Sequence, residues 1–276
     1  MQENSALGRA MAIVRELRER CAWDRVQTRE TLRPYLVEEA HELDQAIGSG
    51  DPAAIRDEVG DLMLHLAWQL VLAEELGEFT AETAAGDVEL KMKRRHPHLF
   101  ELGPREEWER LKSRERESGD GRLGLLDGLP PSLPDLLMAH RLQERAAAVG
   151  FDWPDTAGPA GKVREELAEV EMELATAKEA SAERLEHEIG DLLFSVVNLG
   201  RKAGVSPGPA LERANTRFKE RFAGIERLAA ERGMTLHTVG LEALDQLWGE
   251  AKQREQSTVN GTSLSGPEHR SRGSSC

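Results

Sequence analysis

Glu38 to Leu66 reads EEAHELDQAIGSGDPAAIRDEVGDLMLHL, two helical segments separated by Gly48-Ser49-Gly50, with Asp51 placed to cap the second and Pro52 in its first turn. The first segment carries Glu39-x-x-Glu42 and the second Glu58-x-x-Asp61. Residues three apart are neighbours on a helix surface, so each pair of acids shares one face. The same arrangement returns between Glu165 and Val196, as Glu166-x-x-Glu169 followed by Glu188-x-x-Asp191. The offsets between copies are 127 and 130 residues, so only the intervening loop differs in length, and the chain contains an internal repeat.

The register of the acids says more than their spacing. Apolar residues fall at Leu36, Ala40, Leu43 and Ile47; at Ile55, Val59, Leu62 and Leu66; at Val163, Leu167, Val170 and Leu174; and at Leu185, Ile189, Leu192 and Val196. In all four segments the acids stand one residue before the second and third apolar positions, on the flank of the stripe expected to be buried. Carboxylates crowded at the edge of a core repel one another and lose hydration, and a cation relieves both costs. Oxygen ligands without Cys or a repeated His point to hard Mg²⁺, with Mn²⁺ as a substitute. A single Glu-x-x-Glu arises by chance in Glu-rich helices; repetition in one register argues against chance. Glu38-x-x-His41 also fits a di-iron bundle, but its counterparts are Glu165 and Ala168, so the His is not repeated.

Outward from these segments the chain reads as helix throughout. Aromatics are only 4%, too few for the aromatic and β-branched runs of strands, and the fold class expected is all-α, two tandem helical-bundle modules. Of the 276 residues, 1–118 form the first module, the Gly- and Pro-rich 119–134 a linker, 135–256 the second module, and 257–276 a disordered tail. A charged helix is expected near Pro104 to Glu117. The net charge of −14 disfavours duplex nucleic acid as a partner. Two cysteines, Cys21 and Cys276, exclude a disulfide framework and suit a reducing cytoplasm; no apolar run reaches membrane-spanning length.

Glu-Glu-x-x-Glu followed by Glu-x-x-Asp in two helix pairs resembles the all-α nucleoside triphosphate pyrophosphohydrolases, and the two-copy form is similar to the MazG family. The supporting strings are Cys21-Ala22-Trp23-Asp24, Arg94-Arg95-His96-Pro97-His98-Leu99-Phe100, Gly150-Phe151-Asp152-Trp153 and Gly190-Asp191-Leu192-Leu193-Phe194 continuing to Asn198, within a match over about residues 7 to 255. Ala22 stands where that family usually has Pro. The resemblance implies cleavage between the α- and β-phosphates of a nucleoside triphosphate, with Glu166, Glu169, Glu188 and Asp191 holding Mg²⁺ in the second copy and Glu39, Glu42, Glu58 and Asp61 in the first. It implies Lys162, Arg184, Asn198, Asn215, Arg217, Arg221, Trp248 and Lys252 as nucleotide-binding residues, and a homodimer. Glu165, beside Glu166, is the candidate general base, or else a solvated surface Glu. Arg217 and Arg221 also fit an ordinary charged helix face, and Trp248 a packing residue.

The copies are unequal. Seven residues after its Asp the second copy has Asn198 where the first has Trp68, and Asn215-x-Arg217 in the second corresponds to Lys91-x-Lys93 in the first. The second copy is therefore expected to be the better catalyst. A non-catalytic nucleotide sensor or helical adaptor is the alternative from another class, and clustered charge at a core edge favours the enzyme.

Overall fold

The computed structural model describes residues 5–100, 103–104, 106, 111, 124–175 and 182–262, with side chains to 255. Among these residues there are ten α-helices and no strand: α1 (Ala6–Arg20), α2 (Ala22–Arg25), α3 (Arg29–Ser49), α4 (Pro52–Glu75), α5 (Ala81–Arg95), α6 (Asp135–Ala148), α7 (Ala157–Ala175), α8 (Ala182–Lys202), α9 (Pro207–Glu231) and α10 (Leu241–Thr262). Short 3₁₀ turns cover Pro97–Leu99 and Leu236–Thr238. The all-α fold class expected from sequence is the one found. The charged helix expected near 104–117 lies almost wholly outside the described residues, as do 263–276 of the expected tail. The last helix continues past Glu255 to Thr262.

The helix boundaries follow local chemistry. Ser5 Oγ accepts the Gly8 N–H at the start of α1, and Thr28 and Thr31 form a reciprocal capping box at the start of α3. Gly50 ends α3 in the left-handed conformation at φ 71°, where a side chain would be strained. Asp51 then accepts the Ala53 N–H and Pro52 opens α4, so a three-residue hinge turns the chain back upon itself.

The chain divides into two compact units, residues 1–128 with 148–150, and 129–147 with 151–276. In the first, α4 packs against both α1 and α3. Its core is Met11, Val14, Leu32, Ala67, Trp68, Val71, Leu72 and Ala81. Arg18 braces it: its guanidinium pairs bidentately with Glu75 (2.6 and 2.7 Å), donates to the carbonyls of Asp24 and Gln27, and lies 5.5 Å from the Trp68 ring. In the second unit α7 pairs with α8, and α9 with α10 around Ile225, Leu228, Ala229, Leu247 and Ala251. Gln143 on α6 donates to the Phe194 carbonyl on α8.

The apolar stripes are buried less than expected. Val170 is buried, whereas Ile47 (58% exposed), Val59, Leu66, Leu167, Leu174, Ile189 and Val196 are open. Each acidic helix pair is a two-helix hairpin, and two helices cover only the inner half of a stripe.

Candidate functional site

In the first hairpin, α3 presents Glu39 and α4 presents Glu58 and Asp61; one oxygen from each can come within 4.8 Å of the other two. In the second, α7 presents Glu166 and Glu169 and α8 presents Glu188 with the same closeness. The sequence names four acids per copy, and the structure gathers three of each. Glu42 stays outside the first group, though close enough to raise the proton affinity of its neighbours. Asp191 stays outside the second, exposed, with its Oδ2 3.4 Å from His187 Nε2.

The two clusters are compensated differently. Burial pushes the Glu39 carboxyl up from its ordinary range, and Asp61, Glu42 and Glu58 add to the shift. Glu58 rises as well, through burial first and then Glu42, Asp61 and Asp57. No lysine or arginine pairs with Glu39, Glu58 or Asp61 among the described residues; the cation-capable neighbour is His65, whose Nε2 is 3.9 Å from Glu39 Oε1. Burial holds the His65 ring below its ordinary pKa, against the pull of Asp61, so it is neutral near pH 7. In the second cluster Lys162 Nζ reaches Glu166 Oε1 at 2.5 Å and Glu165 Oε1 at 2.9 Å. Lys162 therefore holds Glu166, only 4% exposed, below the usual carboxylate range. Glu169 is pushed up by its hydrogen bond with Glu166, by burial and by the charges of Glu166 and Glu188. Both sets fit a divalent cation: convergent oxygens from two helices, with proton affinities raised at Glu39 and Glu58 by burial and then by neighbouring acids, and at Glu169 by its hydrogen bond with Glu166, burial and neighbouring acids.

The predicted nucleotide residues fall into four places, Asn198 being apart from the other three. Lys162 and Glu165 sit on α7 as a mutual ion pair. Arg184 lies near the start of α8, 3.2 Å from Glu173, beside an open groove of about 780 Å³ that also takes in His187, Glu188 and Asp191. Arg221 and Trp248 face each other across α9 and α10 at 5.8 Å; Glu255 accepts from Arg221 at 2.7 Å and Phe218 packs on Trp248 at 5.4 Å. Asn215, Arg217 and Lys252 are exposed on the same two helices. No hydrogen bond or ion pair among the described residues joins these five to the acids of α7 and α8. Trp248 is thus at least partly a packing residue, against the core of α9 and α10.

Asn198 is half-buried on α8, and its Oδ1 accepts from Arg201 Nε (3.1 Å) and Nη2 (2.8 Å). The same guanidinium, with Lys202 Nζ at 2.9 Å, clasps Asp152 from the Gly150–Trp153 loop at 2.5 Å. Trp68, its counterpart in the first copy, is a core residue only 4% exposed. At this position the first copy packs where the second carries a polar group.

Sequence reasoning missed three residues. Asp152, an acid in a loop whose Arg-Lys partners lie fifty residues on, gives no periodic signal. Arg201 was likewise unmarked. His65 stands at i+4 from Asp61, and that spacing, the face shared with an acid one turn earlier, was the available signal.

The profile of the MazG nucleotide pyrophosphohydrolase domain matches residues 27–100, the region of α3, α4 and α5. A Thermotoga maritima protein named nucleoside triphosphate pyrophosphohydrolase/pyrophosphatase MazG is 41% identical over 248 residues, covering 88% of this chain and 94% of the relative. An Escherichia coli K12 protein named nucleoside triphosphate pyrophosphohydrolase is 37% identical over 259 residues, covering 90% of this chain and 98% of the relative. Both alignments take in the two acidic hairpins.

Proposed function

The chain belongs to the MazG nucleotide pyrophosphohydrolase family, and on that premise we propose that it hydrolyses nucleoside triphosphates between the α- and β-phosphates, releasing the monophosphate and pyrophosphate. The observation that carries this reading is the pair of matched helix hairpins, each converging three carboxylates to within 4.8 Å. Glu166, Glu169 and Glu188, joined by Asp191 after a side-chain rotation, would hold Mg²⁺, with Mn²⁺ as substitute. Bound there, the ion supplies charge neutralisation on the phosphates and acidity to the attacking water.

The protein groups have separate tasks in this reading. Lys162, which pairs with Glu166, would meet a phosphate oxygen with Glu166 committed to the metal. Glu165, on the same helical turn and exposed, is the candidate to accept a proton from water. Arg184, Arg217, Arg221 and Lys252 supply positive charge for a tetra-anionic substrate, and Asn198 and Asn215 supply amide hydrogen bonds. Trp248 offers a ring face to the base. The first copy, with Trp68 for Asn198, binds metal without the full nucleotide set and is the lesser catalyst.

The exposed stripe residues Ile47, Val59, Leu66, Leu167, Leu174, Ile189 and Val196 call for a covering layer, which a second copy of the chain supplies in a homodimer. Housecleaning of non-standard or excess triphosphates in the cytoplasm is the role that fits. No helix among the described residues is long and apolar enough to cross a membrane. Pyrophosphate release from a panel of triphosphates, measured with Mg²⁺ and then with EDTA, tests the reading. Release should stop with EDTA and return with Mg²⁺ or Mn²⁺; undiminished release from metal-free protein would overturn it.

A further inference from the structure

His65 lies on α4 at the edge of the first cluster, one turn beyond Asp61 and two beyond Glu58. It is 8% exposed, and its Nδ1 has no hydrogen-bond partner. Its Nε2 points toward Glu39, whose Oε1 at 3.9 Å is too distant for a hydrogen bond. A buried imidazole whose Nδ1 has no partner and whose Nε2 makes no hydrogen bond among the described residues is costly, and such groups mark the place of a water or ion. The other nitrogen, Nε2, is turned toward Glu39, one of three convergent carboxylates that have no lysine or arginine partner among the described residues.

From this juxtaposition we propose that His65 Nε2 is a nitrogen ligand to the metal of the first copy, giving a mixed imidazole and carboxylate site that takes first-row transition ions, Co²⁺ above Mn²⁺, in preference to Mg²⁺. The inference rests on the reading that Glu39, Glu58 and Asp61 hold a metal. Adjacent ligand atoms around an octahedral ion stand about 3 Å apart, so a rotation of the ring and of Glu39 that closes roughly 1 Å brings Nε2 to ligand spacing from that carboxylate. Imidazole raises affinity for later first-row ions more than for Mg²⁺, which takes oxygen. In the second copy the position is Ser195, and the histidine nearest its acids, His187, is three-quarters exposed on the solvent side. The two copies therefore differ in metal chemistry as well as in nucleotide contacts.

Pulsed electron paramagnetic resonance on Mn²⁺-loaded protein tests this, using full-length chain with Glu166→Gln and Glu169→Gln to silence the second cluster. A directly bound histidine nitrogen should modulate the Mn²⁺ signal, and the modulation should change when histidine is ¹⁵N-labelled. His65→Gln should abolish it and weaken Mn²⁺ binding by about tenfold or more, with a smaller change for Mg²⁺. Labelling needs no substitution at His65, so the test survives if that variant misfolds. Mn²⁺ that is bound, lost in Glu39→Gln, yet free of histidine coupling would overturn the His65 ligand and leave the carboxylate site standing. Coupling that persists in folded His65→Gln would overturn it as well. Absence of any Glu39-dependent Mn²⁺ binding would overturn both the inference and the reading beneath it.

Discussion

Asp152→Asn removes the charge from the clasp that joins the Gly150–Trp153 loop to the end of α8. The carboxylate meets Arg201 at 2.5 Å and Lys202 at 2.9 Å, with the three side chains between 12% and 22% exposed. Arg201 is the main cause, and Lys202 a further one, of an Asp152 pKa lowered from 3.8 to about 2. At about 1.4 kcal/mol per unit, that shift is worth roughly 2.5 kcal/mol unscreened, and discounting for solvent at this open loop leaves about 1 kcal/mol. Because the folded carboxyl holds its proton less tightly than the unfolded one, this stability is complete above the unfolded value and is lost as pH falls from about 3.8 toward 2. Urea unfolding followed by circular dichroism should show the variant less stable by about 1 kcal/mol at pH 7 and 5, with the gap narrowing below about pH 4. In an Arg201→Met background the cost of Asp152→Asn should shrink, since the main partner is gone. Equal stability at pH 7, or a gap that does not narrow down to pH 3, would refute the reasoning.

Glu166→Ala should remove most triphosphate cleavage, by about a hundredfold or more, because it deletes a carboxylate from the better-equipped cluster, while Glu39→Ala should cost much less; steady-state kinetics on folded variants would show the order. Reversal of that order would reassign the active copy and leave the reaction class in place. Trp68→Ala opens the core between α1 and α4 and should destabilise by about 3–5 kcal/mol, read as a fall in thermal midpoint; a loss under about 1 kcal/mol would contradict the packing role given to Trp68. Light scattering at micromolar concentration should give twice the chain mass, and a stable monomer would leave the exposed stripes on α3, α4, α7 and α8 without an explanation.

The fold was legible because its signals are local and periodic. Gly50, Asp51 and Pro52 mark a helix end and the next start within three residues, and the structure ends α3 and begins α4 there. Repetition of one acid register in four segments marked the hairpins. Periodicity could not say how much of a stripe one chain covers: Val59 and Leu62 read alike in sequence, yet Val59 is open because α4 meets α3 on one side only. The cluster was legible to the level of which turns carry acid. The choice of three oxygens from four depends on helix crossing and rotamers, which pattern does not encode. Long-range partners such as Asp152 with Arg201, and the stranded ring of His65, emerge only when distant turns are brought together.

The position of bond cleavage tests the central claim most directly. Incubating the protein with Mg²⁺ and a nucleoside triphosphate, then separating the products by ion-exchange chromatography, distinguishes the α–β anhydride from the β–γ anhydride. Nucleoside monophosphate and pyrophosphate in equal amounts are the result expected, with both lost in Glu166→Ala. Nucleoside diphosphate with inorganic phosphate would contradict the account.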